Sequence, residues 1–440
     1  MLRRVAQVRK DPIAFLTWVR HQYGDVAQLP IPNPPTYLVT DPEAVRRVLV
    51  TNARAYGKRT IQYTTLSLVT GEGLLTADTE AWRPARRMLQ PAFHRETLAL
   101  VGGHVTEAVD RLLARWAAQD GQVVDVDEAM MRVGLEVVGS SLFGSDLSAD
   151  AERLAAATVR ALDVVIKKAR TPLPVPLSVP TPSNVVLRRA VGQLDAAVTA
   201  MLAERATRPL APDQAPRDLL DLLLLARDDV GEGLSPQQIR DQVVTFIVAG
   251  HETVAAALTW ALDLLATHPE ALRRVRAEAD ALGRAPQLDD IASLPYTAAV
   301  LDETLRLYPP AWVITRRATE ADVLADVEIP ADALLILSPW LVHRHETAWQ
   351  RPEEFEPERF LDADGRRRRD VATAPAYLPF GAGPRLCIGR DMALLEGVVV
   401  LASLARAVDL EPVGPSPTPV PLVTVRPRGG LPMRVRSARR

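Results

Sequence analysis

The chain of 440 residues holds a single cysteine, Cys387, and its neighbours are distinctive. It lies in Phe380-Gly-Ala-Gly-Pro-Arg-Leu-Cys387-Ile-Gly389, a glycine-rich turn that leads into an apolar helical stretch. A thiolate is a nucleophile and a metal ligand, and a helix start favours it over the thiol. A second group is Ala249-Gly250-His251-Glu252-Thr253, inside a stretch that otherwise reads as buried helix. A buried carboxylate costs several kcal/mol unless paired. Thr is a modest helix former, and Gly costs roughly 1 kcal/mol relative to Ala. Three such violations in five residues mark a functional site. His251 reads as packing, an ion-pair partner or a water-facing group rather than a ligand.

One thiol cannot close an intrachain disulfide, nor supply the spacing of zinc ribbons, fingers or iron–sulfur clusters. A net charge of −2 leaves no electrostatic footprint for nucleic acid. The basic start, Met1 to Lys10, precedes an apolar stretch too short for a signal peptide. No run reaches the eighteen or so apolar residues of a membrane span. These features predict a cytoplasmic protein with no membrane anchor.

The elements that must position these residues are mostly helices. A long helix starts at Ser235 as N-cap with Pro236 in the first position, and Pro269 stops it. It would be about 50 Å long. Residues 243–248 are apolar on every side, which means burial. Residues 80–307 read as almost wholly helical, broken by a proline-rich connection at 171–182. Strands are expected at 26–29, 37–39, 327–329 and 334–337, a helix from Asp41, another over 388–406, and irregular chain over 55–79. With no linker in sight, residues 1–440 read as one large, mainly α domain with a minor β part.

The cysteine segment matches F-x-x-G-x-R-x-C-x-G at all five fixed positions. It resembles the ligand loop of the cytochrome P450 (haem-thiolate) monooxygenases, bacterial soluble type. The motifs follow the family's order over about 10–435. The resemblance implies a single P450-type domain whose long central helix crosses the haem. Cys387 would be the axial ligand of haem b iron. Phe380 would shield the sulfur, Arg385 would pair with a propionate, and Gly381, Gly383 and Gly389 would allow a tight loop.

Ala249 to Thr253 looks like the family's oxygen-activation motif. Ala249 and Gly250 would face the haem, Gly250 letting the helix open for dioxygen. Thr253 would donate a hydrogen bond to the oxygen being activated, and Glu252 would relay protons. Only one threonine is present, because Val254 follows. Trp82 and Arg86, four apart on one helix face, would bind a propionate, with Arg83 and Arg87 as rivals. Arg316 would bind the other, with Arg317 competing. E-x-x-R occurs five times. The copy at Glu303 precedes Tyr308-Pro309-Pro310, and Pro357-Glu358-Arg359-Phe360 resembles its partner segment. A buried Glu303–Arg306–Arg359 network is therefore implied, with a structural role.

Val248, Val313, Ile314 and Leu422 would line an apolar pocket suited to a terpenoid, fatty acid or macrocycle. The 55–79 and 171–182 segments would close it. No flavin or dinucleotide segment follows, so electrons are expected from a ferredoxin and its reductase. The competing readings are a haem-thiolate peroxygenase or isomerase, and a haem-binding sensor without turnover. Retention of Glu252 and Thr253 argues against the first.

Overall fold

The computed structural model describes residues 11–93, 95–143, 175–211, 214–228 and 231–438, with 157, 158, 160–162, 164, 165 and 168 between them. The basic start at 1–10 and the first four residues of the 171–182 connection lie outside the described residues. In chain order come α1 (Pro12–Tyr23), β1 (Val26–Pro32), β2 (Pro35–Val39), α2 (Pro42–Arg46), β3 (Tyr56–Gly57), α3 (Ile61–Thr70) and α4 (Thr79–Leu89). Next are α5 (Arg95–Ala117), β4 (Val123–Asp125), α6 (Val126–Phe143), α7 (Pro182–Thr207), α8 (Leu219–Leu225), α9 (Pro236–Thr267), α10 (Pro269–Ala281) and α11 (Pro295–Leu307). The rest alternates: β5 (Ile314–Ala318), β6 (Asp322–Leu324), β7 (Val327–Ile329), β8 (Leu334–Leu337), α12 (Pro339–Val342), α13 (Arg390–Ala407), β9 (Val408–Pro412), β10 (Pro419–Pro421), β11 (Val425–Pro427) and β12 (Pro432–Ser437). The chain is mainly helical with a minor β part, as its patterning requires.

Two compact units make up the chain: Met1–Gly57 with Val105–Val133 and Thr253–Arg440, and Lys58–His104 with Gly134–Glu252. In the first unit a five-stranded sheet has the order β1-β2-β8-β5-β3. β2 and β8 run parallel, Tyr37 opposite Leu335, while β5 is antiparallel to β8. One face buries Tyr37, Val39, Ile314, Leu335 and Leu337, and the same cluster reaches Phe360 and Tyr377. A smaller cluster joins Phe15, Leu16 and Val19 of α1 to Leu38, with Trp312 and Trp340 packed against it. A three-stranded sheet, β4-β12-β9, completes the unit.

In the second unit, residues 61–70 depart from expectation. They form α3, not irregular chain. Three threonines and a serine in its ten residues hide the helical pattern, but Thr65 donates back to the Ile61 carbonyl at 2.6 Å while Tyr63, Leu66 and Val69 are buried. Tertiary burial overrides weak propensity here. Gly71 ends the helix at φ +61, and the following backbone is tied to α9: Glu72 N–H donates to Asp241 at 2.9 Å and Leu74 N–H to Gln242 at 3.0 Å.

α9 begins as its sequence dictates. Ser235 and Gln238 exchange reciprocal bonds of 3.2 and 2.8 Å, a capping box. Among the described helices α9 alone is long and apolar enough to cross a membrane, and most of that stretch is buried inside the protein.

Candidate active site

Cys387 lies two residues before Gly389, the N-cap of α13, so the helix begins slightly later than the sequence suggests. The loop ahead of it is held tightly. The Cys387 N–H donates to the Phe380 carbonyl at 3.0 Å. Gly383 adopts φ +69, and a side chain there would collide with the Leu49 carbonyl. Gly389, by contrast, has an ordinary φ of −88 and open space around it. Phe380 and Arg385 are half-buried, whereas Cys387 is exposed. A fixed loop thus presents a thiol at its surface.

Two buried groups that sequence patterning misses suspend this loop from α11. Tyr377 donates its hydroxyl to Asp302 at 3.0 Å, and Arg367 grips the same carboxylate at 2.6 and 2.7 Å. One residue on, the Leu378 N–H donates to His343 Nε2 at 2.7 Å, while His343 Nδ1 donates to the Arg306 carbonyl at 3.0 Å. Both ring nitrogens are committed to the neutral tautomer. Burial pushes the imidazole down to about 3. A lone histidine has no sequence signature for this role.

The expected network forms. Glu303 and Arg306 are fully buried and joined by two bonds of 2.7 and 2.8 Å. Arg306 also donates to the carbonyls of His343, Pro352 and Glu354. Arg359 reaches Glu303 at 3.3 Å, and the Glu356 N–H adds a bond of 2.9 Å to the same oxygen. Burial pushes the Glu303 carboxyl up against the pull of both arginines.

On α9 the helix is continuous through 249–253, with no opening at Gly250. Packing explains the glycine: a Cβ there would meet Val138 Cγ2 at 2.8 Å. The reciprocal contact is Gly134, where a Cβ would lie 2.8 Å from the His251 carbonyl. Two glycines therefore let α6 and α9 approach closely. His251 is buried, not water-facing, and donates from Nδ1 to the Ile247 carbonyl at 2.7 Å. Glu252 is also buried, Thr253 and Ala249 are half-buried, and Val248 is buried.

On α4, Trp82 is buried and Arg86 half-buried, while Arg83 and Arg87 are exposed, so Trp82 and Arg86 share the inner face. On β5, strand alternation separates the two arginines. Arg317 turns outward to Asp332 at 3.2 Å. Arg316 is 6% exposed, donates to the Thr315 carbonyl, and has no carboxylate partner among the described residues. Val313 and Leu422 are half-buried, and Ile314 packs into the sheet's core cluster.

α13 carries one further buried acid, Glu396, whose Oε1 finds no hydrogen-bond partner among the described residues. Burial pushes its carboxyl up to about 8. The folded protein then holds a proton that the unfolded chain releases near the ordinary carboxyl value, so stability falls as pH rises from about 4.5 to about 8. Glu396→Gln stays neutral throughout. Its thermal-melting advantage over the parent chain should widen across that window and level off above it, by on the order of a few kcal/mol. Parallel melting curves from pH 5 to 9 would refute this.

Comparison with known proteins agrees with this geometry. The family model for Cytochrome P450 matches residues 2–431. Cyclooctat-9-en-7-ol 5-monooxygenase of Streptomyces melanosporofaciens is 35% identical over 408 residues, covering 92% of this chain and 86% of that protein. Pentalenene oxygenase of Streptomyces avermitilis is 34% identical over 427 residues, covering 95% and 91%. Among solved structures, CYP175A1 from Thermus thermophilus superposes with a TM-score of 0.78 at 33% identity, covering 98% of this chain and 97% of that one. The cytochrome P450DA haem domain gives 0.85 at 28% identity, covering 97% and 93%. This chain belongs to the cytochrome P450 family of haem-iron monooxygenases.

Proposed function

We propose that the chain binds haem b and inserts one oxygen atom of dioxygen into a C–H or C=C bond of a polycyclic terpenoid. Two electrons and two protons are consumed, and the second oxygen atom leaves as water. The observation that carries the reading is Cys387 on a loop fixed by its own N–H bond to the Phe380 carbonyl and by Gly383 packed against Leu49. The residues suit the group. Buried Arg316, which has no carboxylate partner among the described residues, is costly unless an anion joins it, and a propionate is such an anion. Arg385, Trp82 and Arg86 are further donors for propionates.

Bound haem would supply the redox chemistry, and Cys387 would hold its iron as a strongly donating thiolate. The chain's own residues do the rest. Phe380 covers the sulfur side, and Ala249 and Gly250 offer a small-residue surface to the macrocycle. Buried Glu252 holds and passes protons, and the Thr253 hydroxyl directs one to the reacting oxygen. Val248, Val313, Ile314 and Leu422 are the proposed apolar contacts for the substrate. The two Streptomyces relatives, named for cyclooctat-9-en-7-ol and pentalenene, favour a terpenoid over a fatty acid or macrocycle.

Electrons come from an external donor. A ferredoxin with its reductase, in the cytoplasm, is the proposed source. Activity that needs peroxide alone and ignores reductant would favour the peroxygenase reading instead.

Thr253→Ala tests the proton-delivery role. The variant should keep haem and its spectrum, while product formed per reducing equivalent falls several-fold and peroxide rises. Unchanged coupling would remove Thr253 from that role.

A further inference from the structure

The hairpin β10–β11 carries Leu422 at its tip, yet it is poorly equipped to hold itself. Three of its six paired residues, Pro419, Pro421 and Pro427, have no N–H to donate. A two-stranded hairpin is marginal even with a full ladder. Its position comes instead from outside clasps. The Trp312 indole donates to the Leu422 carbonyl at 3.0 Å, and the Trp260 indole to the Val425 carbonyl at 2.9 Å. Arg426 forks onto Asp127, with Nε to Oδ1 at 3.0 Å. Ser416, in the segment leading in, donates to Asp263 at 3.2 Å.

Of these clasps Trp312 is the one that reaches Leu422 at the tip. It is itself fixed: its carbonyl accepts from the Ser338 hydroxyl at 3.1 Å, and its ring packs on the cluster of α1 and β1. Its chain neighbour is Val313. One side chain therefore ties the tip to the segment that enters β5.

We propose that Trp312 is a specificity-determining positioning residue, whose N–H sets how closely the Leu422 turn stands to Val313. The proposal rests on the reading that Val313 and Leu422 contact substrate. A rigid substrate senses a displaced wall that a flexible one can follow. Trp312→Phe keeps an aromatic ring against the cluster and deletes the donor, at the cost of some ring volume.

The test compares two probes by haem spin shift: pentalenene, compact and rigid, and lauric acid, linear and flexible. In Trp312→Phe, pentalenene should bind roughly threefold to tenfold more weakly, the effect of one lost hydrogen bond. Lauric acid should stay within about twofold by the same argument. Haem content and the carbon monoxide spectrum should be unchanged, and amide exchange over 419–427 should accelerate. Equal weakening of both probes, or an unchanged ratio with slow exchange, overturns the role while leaving the pocket reading intact. A haem-loaded parent chain that responds to neither probe overturns both.

Discussion

Replacing Cys387 by serine should abolish the thiolate-type shift of the ferrous carbon monoxide spectrum and end dioxygen-dependent turnover, while the chain stays folded. The expectation separates chemistry from architecture. The loop is held by the Cys387 N–H bond to the Phe380 carbonyl and by Gly383 against Leu49, neither of which involves the sulfur. What serine lacks is the ability to become a soft anion. A hydroxyl ionises far less readily than a thiol, and the donor strength that favours O–O cleavage disappears with the sulfur. Melting temperature and the absorption of the carbon monoxide complex read the two effects independently. A surviving thiolate-type shift would remove Cys387 as ligand.

Much of this site is legible in sequence because the motif residues act locally. The bounds of α9 follow from Ser235 and the Pro269 stop, and both ends agree with the structure. The strands at 327–329 and 334–337 lie where β-branched and leucine runs place them. The copy of E-x-x-R at Glu303 is distinguishable by its neighbours, though the other four copies look the same in isolation. What is not legible depends on long-range packing. α3 is hidden by its threonines until Tyr63, Leu66 and Val69 find burial. Gly250 suggests an opening, yet its reason is a close approach to Val138 of α6, far away in sequence. Arg316 and Arg317 become separable only once β5 has a register. His343 and Trp312 have no motif at all; they matter through bonds to backbone groups distant in sequence, at Leu378 and Arg306 for His343 and at Leu422 for Trp312.

Arg306→Met should cost about 3–5 kcal/mol and prevent stable haem loading, the expected penalty for removing one member of a buried ion pair. Glu303 would remain in the interior with Arg359 as its only cation among the described residues, at 3.3 Å, and the Glu356 N–H on the same oxygen. The carbonyls of His343, Pro352 and Glu354 would each lose a donor. The second consequence reaches the cysteine loop. His343 is placed between the Arg306 carbonyl and the Leu378 N–H, and Leu378 lies two residues before Phe380. Slack at Arg306 therefore passes to the loop that presents Cys387. Combining Glu303→Leu with Arg306→Met separates the two causes. If the stranded carboxylate dominates, the double variant should regain a large part of the lost stability in denaturant titration, because matched apolar pairs can replace buried ion pairs. If the three carbonyls and the loop dominate, it should regain little and still load haem poorly. A single variant as stable as the parent chain would show that the network does not hold this part of the fold.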